Sequence, residues 1–139
     1  MAGSLTVELV SPESVVFSGE ANMVITRTLG GGEIAFQAGH APFVGALVEN
    51  HARIFLTDGS IQDVAVHRGF VEVADDRVSI LSDNAELAED IDVDRARDAL
   101  ERHEKTLRDE EIEEKIADAI AGRARARARL TASGTGFTA

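Results

Sequence analysis

Cysteine does not occur in this chain of 139 residues. The protein therefore has no disulfide, no thiol nucleophile and no thiolate zinc ligand, which excludes a disulfide-stapled scaffold and a cysteine-based zinc module. Long apolar runs are also absent, because no stretch approaches the roughly 20 residues that span a bilayer. The N-terminal stretch MAGSLTVELV lacks the basic segment and apolar run of a signal peptide. We therefore expect a soluble protein.

Positive charge is scarce in the first two thirds of the chain. The net charge of -11 argues against a nucleic-acid-binding protein, because such proteins present a basic face. Residues 1–94 carry 16 acidic and 4 basic side chains, whereas residues 95–139 carry 9 and 10. The apolar pattern changes near the same point, from short alternating runs to helical spacing. These changes predict a β-sandwich domain at residues 1–88, a helical hairpin at 89–131 and a disordered tail at 132–139.

Short segments rich in Val and Ile, such as LTVELV, ANMVITRT, IQDVAV and GFVEVA, fill the first part and are bounded by turn residues. Asp58-Gly59 indicates a two-residue hairpin and Asp75-Asp76 a weaker one. Gly30 to Gly32 indicates a turn and not a phosphate loop, because no Lys-Ser/Thr follows and a strand-like segment comes next. The pattern predicts an antiparallel β-sandwich or barrel of about ten short strands.

Two apolar stripes with helical spacing follow. The first stripe consists of Val93, Ala96, Leu100, His103 and Leu107, and the second of Ile112, Ile116, Ile120, Ala124 and Ala128. Thr106 and the carboxylates at 109–111 suit the start of a second helix. We expect an antiparallel two-helix hairpin with helices of about 15 and about 20 residues. Because alanine supplies much of the seam, the hairpin should bury little apolar area and be able to open.

The stretch GGEIAFQAGHAPFVGAL, residues 31–47, resembles the signature G-E-L-G-I-L-P-G-H-A-P-L of the epsilon subunit of F-type ATP synthases. The segments LTVELVSPESVVFSGEANMV, RGFVEVADDRVSIL and AELAEDIDVDRA resemble, in the same order, that family's first two strands, last two strands and interdomain segment. The resemblance covers essentially residues 4–130. It implies a non-catalytic rotor subunit that couples ion-driven rotation to ATP synthesis and regulates ATP hydrolysis through its C-terminal helices.

The resemblance also implies partners. They are the gamma subunit, the membrane rotor ring and, when the helices extend, the beta subunit of the catalytic head. The protein would lie peripherally on the cytoplasmic face of a bacterial cell membrane without inserting into it. Glu33 would lie in the loop that contacts the ring, and His40 with Pro42 would shape the same edge. The alternatives from the residues alone are an exposed turn carboxylate for Glu33 and a structural histidine for His40.

The stretch EDIDVDRARDAL, residues 89–100, joins the two parts. Asp90 and Asp92 are placed to cap the first helix, and Asp94 adds favourable charge to its first turn. Capping does not explain Arg95 or Arg102. The pattern I-D-x-x-R-A at residues 91–96 resembles the ATP-binding motif of bacterial epsilon subunits. That resemblance implies a site containing Glu86, Ile91, Asp92, Arg95, Ala96 and Arg102, and plain capping is the alternative.

The segment GRARARARL places Arg123 with Arg127 and Arg125 with Arg129 as i,i+4 pairs near a helix C-terminus, where cations are stabilising in any case. The resemblance implies that Arg125 and Arg129 approach the ATP phosphates when the helix is folded down. ATP would then be a regulatory ligand, with no cofactor required.

There are two alternatives to the interpretation as a rotor subunit. A cupin-like metal enzyme would need histidine ligands at close spacing, but His40, His51 and His67 form no His-x-His pair. No nucleophile motif is present either, so the sequence predicts no catalytic and no metal-binding residues. A stand-alone nucleotide-sensing adaptor with the same fold would differ from the rotor subunit in lacking the gamma partner.

Overall fold

The computed structural model describes residues 3–134, which form seven strands followed by two helices. The strands are β1 (Leu5–Ser11), β2 (Ser14–Thr28), β3 (Gly32–Gln37), β4 (Phe43–Leu47), β5 (Asn50–Leu56), β6 (Ile61–Ala74) and β7 (Arg77–Leu87). A short 3₁₀ turn, Ala88–Asp90, leads to α1 (Val93–Asp109) and α2 (Glu113–Ala132). In residues 3–134 no helix is both long enough and apolar enough to cross a membrane.

The strands are fewer and longer than the predicted ten. The segments IQDVAV and GFVEVA both belong to β6, which has 14 residues. Arg68, between them, and Gly69, the first residue of GFVEVA, have φ values of 50° and 140°. These left-handed values place an irregularity inside one continuous strand where the sequence pattern suggested two. Because pairing with β7 continues in register on both sides, the ladder does not stop there.

The sheet folds over on itself to form the predicted sandwich. β2 pairs with β1, β3, β4 and β5, while β6 pairs with β4, β5 and β7. The first and last strands also meet, and the β1–β7 pair is parallel, which is a departure from an all-antiparallel arrangement. Alternate residues face inward and build one apolar core, which includes Leu5, Phe36, Ile54, Val71 and Ile80.

The turns correct one prediction. Asp75 and Asp76 have φ values of 51° and 58° and directly join β6 to β7, so the weaker signal marks the two-residue hairpin. Asp58-Gly59 lies in a longer connection, residues 57–60. There the Asp58 side chain accepts a hydrogen bond from the Ser60 backbone N–H at 2.8 Å, which favours a wider turn. The turn predicted at the glycine run is confirmed between β2 and β3.

The first helix begins as predicted and ends later. Asp92 caps it, since Oδ1 of Asp92 accepts from the backbone N–H of Arg95 at 3.1 Å. The prediction for Thr106 is wrong. Thr106 lies inside α1 and its hydroxyl donates to the carbonyl of Arg102 at 3.1 Å, whereas α2 starts after Ile112 without a side-chain cap. A Thr hydroxyl inside a helix bonds back to the preceding turn, so it was unavailable to a second helix.

The predicted apolar stripe of α2 is buried at Ala128, but the buried side of the helix otherwise lies beside the stripe. Ile112 and Ile120 are 52% and 50% exposed. The buried positions of α2 are Ala119, Gly122, Ala126, Ala128, Leu130 and Ala132. Because α2 packs against α1 and also against β5 and β6, small side chains occupy its buried side. The helix includes Ala132, the first residue of the predicted tail, and residues 135–139 of that tail lie outside the described residues.

Candidate functional site

A cavity of about 500 Å³ lies where the end of β7 and the two helices meet. Its lining comes from three elements: the end of β7 with the turn after it, residues 95–103 of α1, and residues 122–129 of α2. The lining residues are Asn84, Glu86, Asp90, Asp92, Arg95, Ala96, Ala99, Arg102, His103, Gly122, Arg125 and Arg129.

The cavity collects most of the residues implied by the family resemblance. Glu86, Asp92, Arg95, Ala96, Arg102, Arg125 and Arg129 all line it. Ile91 does not. Its side chain is 8% exposed and packs in a separate small cluster with Ala65 and Ala132, with Val93 alongside. Ile91 therefore anchors the segment before α1 to the sheet and to the end of α2, next to the capping residue Asp92.

Helical geometry explains how the arginines converge. Arg95 and Arg102 are seven residues apart, two turns along the same side of α1, and Arg125 and Arg129 are one turn apart on α2. The antiparallel hairpin brings these two sides together over the end of β7. Four guanidinium groups thus face three carboxylates, Glu86, Asp90 and Asp92, around the cavity. In a chain with net charge -11, this is a locally basic site.

One arginine is already engaged by a carboxylate. Nε of Arg129 donates to Oε1 of Glu86 at 2.5 Å, joining α2 to β7. A hydrogen bond from His67 lowers the pKa of Glu86 to about 2, and Arg129 acts in the same direction against the opposing effect of burial. Glu86 is therefore a carboxylate at any physiological pH and remains an acceptor for Arg129.

His67 lies behind this ion pair and belongs to no predicted site. It is 2% exposed, and its two ring nitrogens lie 3.0 Å from Glu49 Oε2 and 3.2 Å from Glu86 Oε1. Burial opposes a charge on the ring, but the hydrogen bonds with Glu49 and Glu86 outweigh it and raise the pKa of His67. Sequence spacing gave no signal for this cluster, because Glu49 lies between β4 and β5, His67 in β6 and Glu86 in β7.

His103 lies at the contact between α1 and α2, opposite Gly122. A Cβ built on Gly122 would lie 2.3 Å from Nε2 of His103, so only glycine leaves room for the ring. Burial lowers the pKa of His103, and the nearby charges of Arg102 and Arg125 lower it further. The ring is therefore neutral near pH 7 and adds no charge to the cavity.

Five lining residues were not among the predicted site residues, and three of them, Asn84, Ala99 and Gly122, were open to detection. Asn84 lies two positions before Glu86 in β7, so the strand period of two places both side chains on one face. Ala99 lies three positions before Arg102 and four after Arg95, on the same side of α1. Gly122 has no Cβ and sits on the buried side of α2, where glycine indicates close helix packing.

The predicted contact residues lie along and beyond an edge strand. Glu33 is not in a loop, as was expected, but in β3, where its exposed side chain lies 3.9 Å from Arg27 on the paired strand β2. The turn between β2 and β3 has only three residues, 29–31. Strand β3 therefore begins at Gly32, inside the glycine run, and includes Glu33. His40 follows β3, and its ring packs against Phe36 and Phe43 at centroid distances of 5.0 and 6.4 Å. Pro42 is exposed next to it.

Residues 4–88 match the family model described as the beta-sandwich domain of the ATP synthase delta/epsilon chain. A protein named ATP synthase epsilon chain from Shouchella clausii is 41% identical over 121 residues, covering 87% of this chain and 90% of the relative. One of the same name from Brevibacillus brevis is 48% identical over 103 residues, covering 74% of this chain and 77% of the relative.

Two solved structures share the fold. A chain in the mitochondrial ATP synthase of Euglena gracilis superposes with a TM-score of 0.81 at 20% identity, covering 94% of this chain and 81% of that one. A chain in the central stalk and ring of the Tetrahymena thermophila mitochondrial enzyme gives a TM-score of 0.65 at 16% identity, covering 94% and 97%.

Proposed function

Because the chain belongs to the ATP synthase epsilon chain family, and is therefore a non-catalytic central-stalk subunit, we propose that its helical hairpin binds ATP and thereby regulates hydrolysis by the complex. The family membership accounts for the sandwich and for the rotor role. The ATP site and its regulatory consequence are the proposed part.

The observation that supports ATP binding is the convergence of seven implied residues from three segments on one cavity. Its volume of about 500 Å³ is within the usual range for small-molecule sites. Arg95 and Arg102 reach it from α1, and Arg125 and Arg129 reach it from α2. Guanidinium groups bind phosphate oxygens through paired, charge-assisted hydrogen bonds, so this cluster suits a polyphosphate.

The arrangement also suggests how a ligand would control the hairpin. Without a ligand, the three carboxylates offset only part of the charge of the four guanidinium groups, so a residual repulsion between the arginines of α1 and α2 opposes closure. A polyphosphate between them replaces that repulsion with attraction to both helices. ATP therefore stabilises the closed hairpin by an amount that grows with its concentration over its dissociation constant. When ATP leaves, the weakly packed α2 is free to extend toward the beta subunit of the catalytic head.

The remaining partners follow from the family. We propose that the sandwich binds the gamma subunit and contacts the membrane rotor ring along the β3 edge, with Glu33, His40 and Pro42 at that contact. Glu33 is well exposed for such a role, whereas His40 contributes by packing the edge. The protein would then be held at the cytoplasmic face of the membrane through the ring and not by insertion.

Titration calorimetry on the isolated chain tests the ATP site with matched arginine variants. Arg95→Ala should weaken ATP binding more than tenfold, because a charge-assisted contact to phosphate contributes about 1.5 to 3 kcal/mol. Arg97→Ala is the control, since its side chain is exposed, lies outside the cavity and is 3.7 Å from Asp94. Equal losses in both variants would indicate general electrostatics, and no binding by the wild type at millimolar ATP would refute the site.

The regulatory part needs the assembled complex. A chain truncated before Asp92 should leave ATP synthesis and coupling largely intact, while hydrolysis by the complex rises or stops responding to nucleotide. The physical reason is that the sandwich keeps its gamma-binding surface while the mobile inhibitory element is gone. Unchanged hydrolysis across nucleotide concentrations and driving forces would contradict regulation by the helices.

A further inference from the structure

The buried ring of His67 makes two contacts that a neutral imidazole cannot make together. Its Nδ1 lies 3.0 Å from Glu49 and its Nε2 lies 3.2 Å from Glu86. Ionised carboxylates only accept hydrogen bonds, and a neutral imidazole has a single N–H. Both contacts are satisfied at once only by the doubly protonated imidazolium. The geometry itself therefore identifies a proton-binding site between β6, β7 and the β4–β5 connection.

A second cation uses the same acceptor atom. Nε of Arg129, on α2, donates to Oε1 of Glu86, which is also the oxygen nearest to Nε2 of His67. Glu49, Glu86 and Arg129 are the charged groups that face the ring from the elements packed around it. Glu49 and Glu86 belong to the sandwich, whereas Arg129 arrives only when α2 docks. Docking thus brings a guanidinium against an oxygen that the imidazolium already uses.

The direction of the coupling between protonation of His67 and docking of α2 follows from the charge of Arg129 that the docked helix adds. The carboxylates raise the pKa of His67 whether or not α2 is present, whereas the charge of Arg129 lowers it. The pKa of His67 is therefore lower with the helix docked than with the helix away. Docking of α2 is strongest above the two pKa values of His67, one for the docked and one for the undocked helix. It weakens as the pH falls through these two values. Because the pKa of His67 with the helix docked is already raised above the ordinary value of 6.5, the whole window lies above 6.5.

We propose that His67 is a proton-operated positioning residue for α2, which when protonated competes with Arg129 for Glu86 and loosens the docking of α2 on the sandwich. The docking effect stands by itself, and its consequence for the nucleotide site rests on the proposed function. The imidazolium of His67 and the guanidinium of Arg129 would share one oxygen of Glu86 in a partly solvated interior. Protonation of His67 should therefore lower the docking constant of α2 on the order of tenfold.

Förster transfer between two labels measures docking in the full chain without nucleotide. The chain has no cysteine, so Glu72→Cys on β6 and Ala117→Cys on α2, both exposed, give unique attachment points. In otherwise wild-type protein the undocked-to-docked ratio should rise on the order of tenfold between about pH 9 and pH 6. His67→Gln should make the ratio independent of pH over this range, because glutamine does not titrate.

Two further variants separate the proton site from a general loss of stability. Glu49→Gln leaves the cavity and Arg129 untouched but removes one carboxylate that holds the imidazolium, so the transition should move to lower pH. His51→Gln is the matched control: His51 lies on the neighbouring strand with Nε2 2.7 Å from Asp63, and its loss should leave the profile unchanged.

A wild-type ratio that is constant across this pH range would overturn the proposal. So would a profile that persists in His67→Gln, or one that Glu49→Gln leaves in place or moves to higher pH. Because no nucleotide is present, these results do not depend on ATP binding. The calorimetric test with the arginine variants fails or succeeds separately.

Discussion

Replacing Gly122 with alanine should open the helical hairpin. Gly122 lies on the buried side of α2, directly against the ring of His103 on α1. An added Cβ would lie 2.3 Å from Nε2 and 2.4 Å from Cε1 of that ring, well inside contact distance. The half-buried ring must then rotate away, or the helices must separate.

The expected size follows from comparing the open and closed hairpins. Alanine favours a helix over glycine by about 1 kcal/mol, but α2 is helical in both states, so this gain cancels. Overpacking costs about 1 to 3 kcal/mol and falls on the closed state alone. The closed-to-open ratio should therefore fall by a factor of roughly 5 to 150.

Förster transfer between labels on the two helices reports this ratio. Glu101→Cys and Ala117→Cys place the labels at exposed positions of α1 and α2. Transfer should fall in Gly122→Ala, and His103→Ala in the same chain should restore much of it, because the smaller side chain leaves room for the new methyl. The two single variants and the double variant form a cycle whose coupling should be about 1 to 3 kcal/mol. Unchanged transfer, or no rescue, would refute this account of helix packing.

Three further predictions concern the sandwich. Glu86→Gln should flatten the acid side of the stability profile, because a hydrogen bond with His67 lowers the pKa of Glu86 from 4.5 to about 2. The wild-type contribution is complete above 4.5 and is lost as the pH falls toward about 2, which denaturant titrations across that range would measure. Gly69→Ala should lower the melting temperature strongly, since at φ 140° its Cβ would lie 1.9 Å from a backbone oxygen; Gly30→Ala, with open space around it, should cost only about 1 to 2 kcal/mol. A chain ending at Ala88 should still unfold cooperatively, because the larger core cluster lies entirely before it, and a broad transition would show that the helices are needed.

Features decided within a few residues were predictable from the sequence. The cap of α1 by Asp92 needs only the backbone N–H three positions later. The turn at Asp75-Asp76 needs only two residues that tolerate positive φ. The alternation of apolar residues predicted the sandwich, and the change to helical spacing predicted the hairpin. The family resemblance added seven of the residues that line the cavity.

Features that depend on which surfaces meet were decided only by the tertiary structure. The buried side of α2 is displaced from the isoleucine stripe, because the helix packs on a sheet and on α1 together and small residues fit both. Ile91 lies outside the cavity that the other predicted site residues line, in a small apolar cluster next to it. Glu86, His67 and Arg129 meet although Glu86 and Arg129 are 43 positions apart. Spacing along the chain determines local hydrogen bonds and the face of an isolated element, but the neighbours of that face, and therefore its shared charges, exist only once the elements have packed.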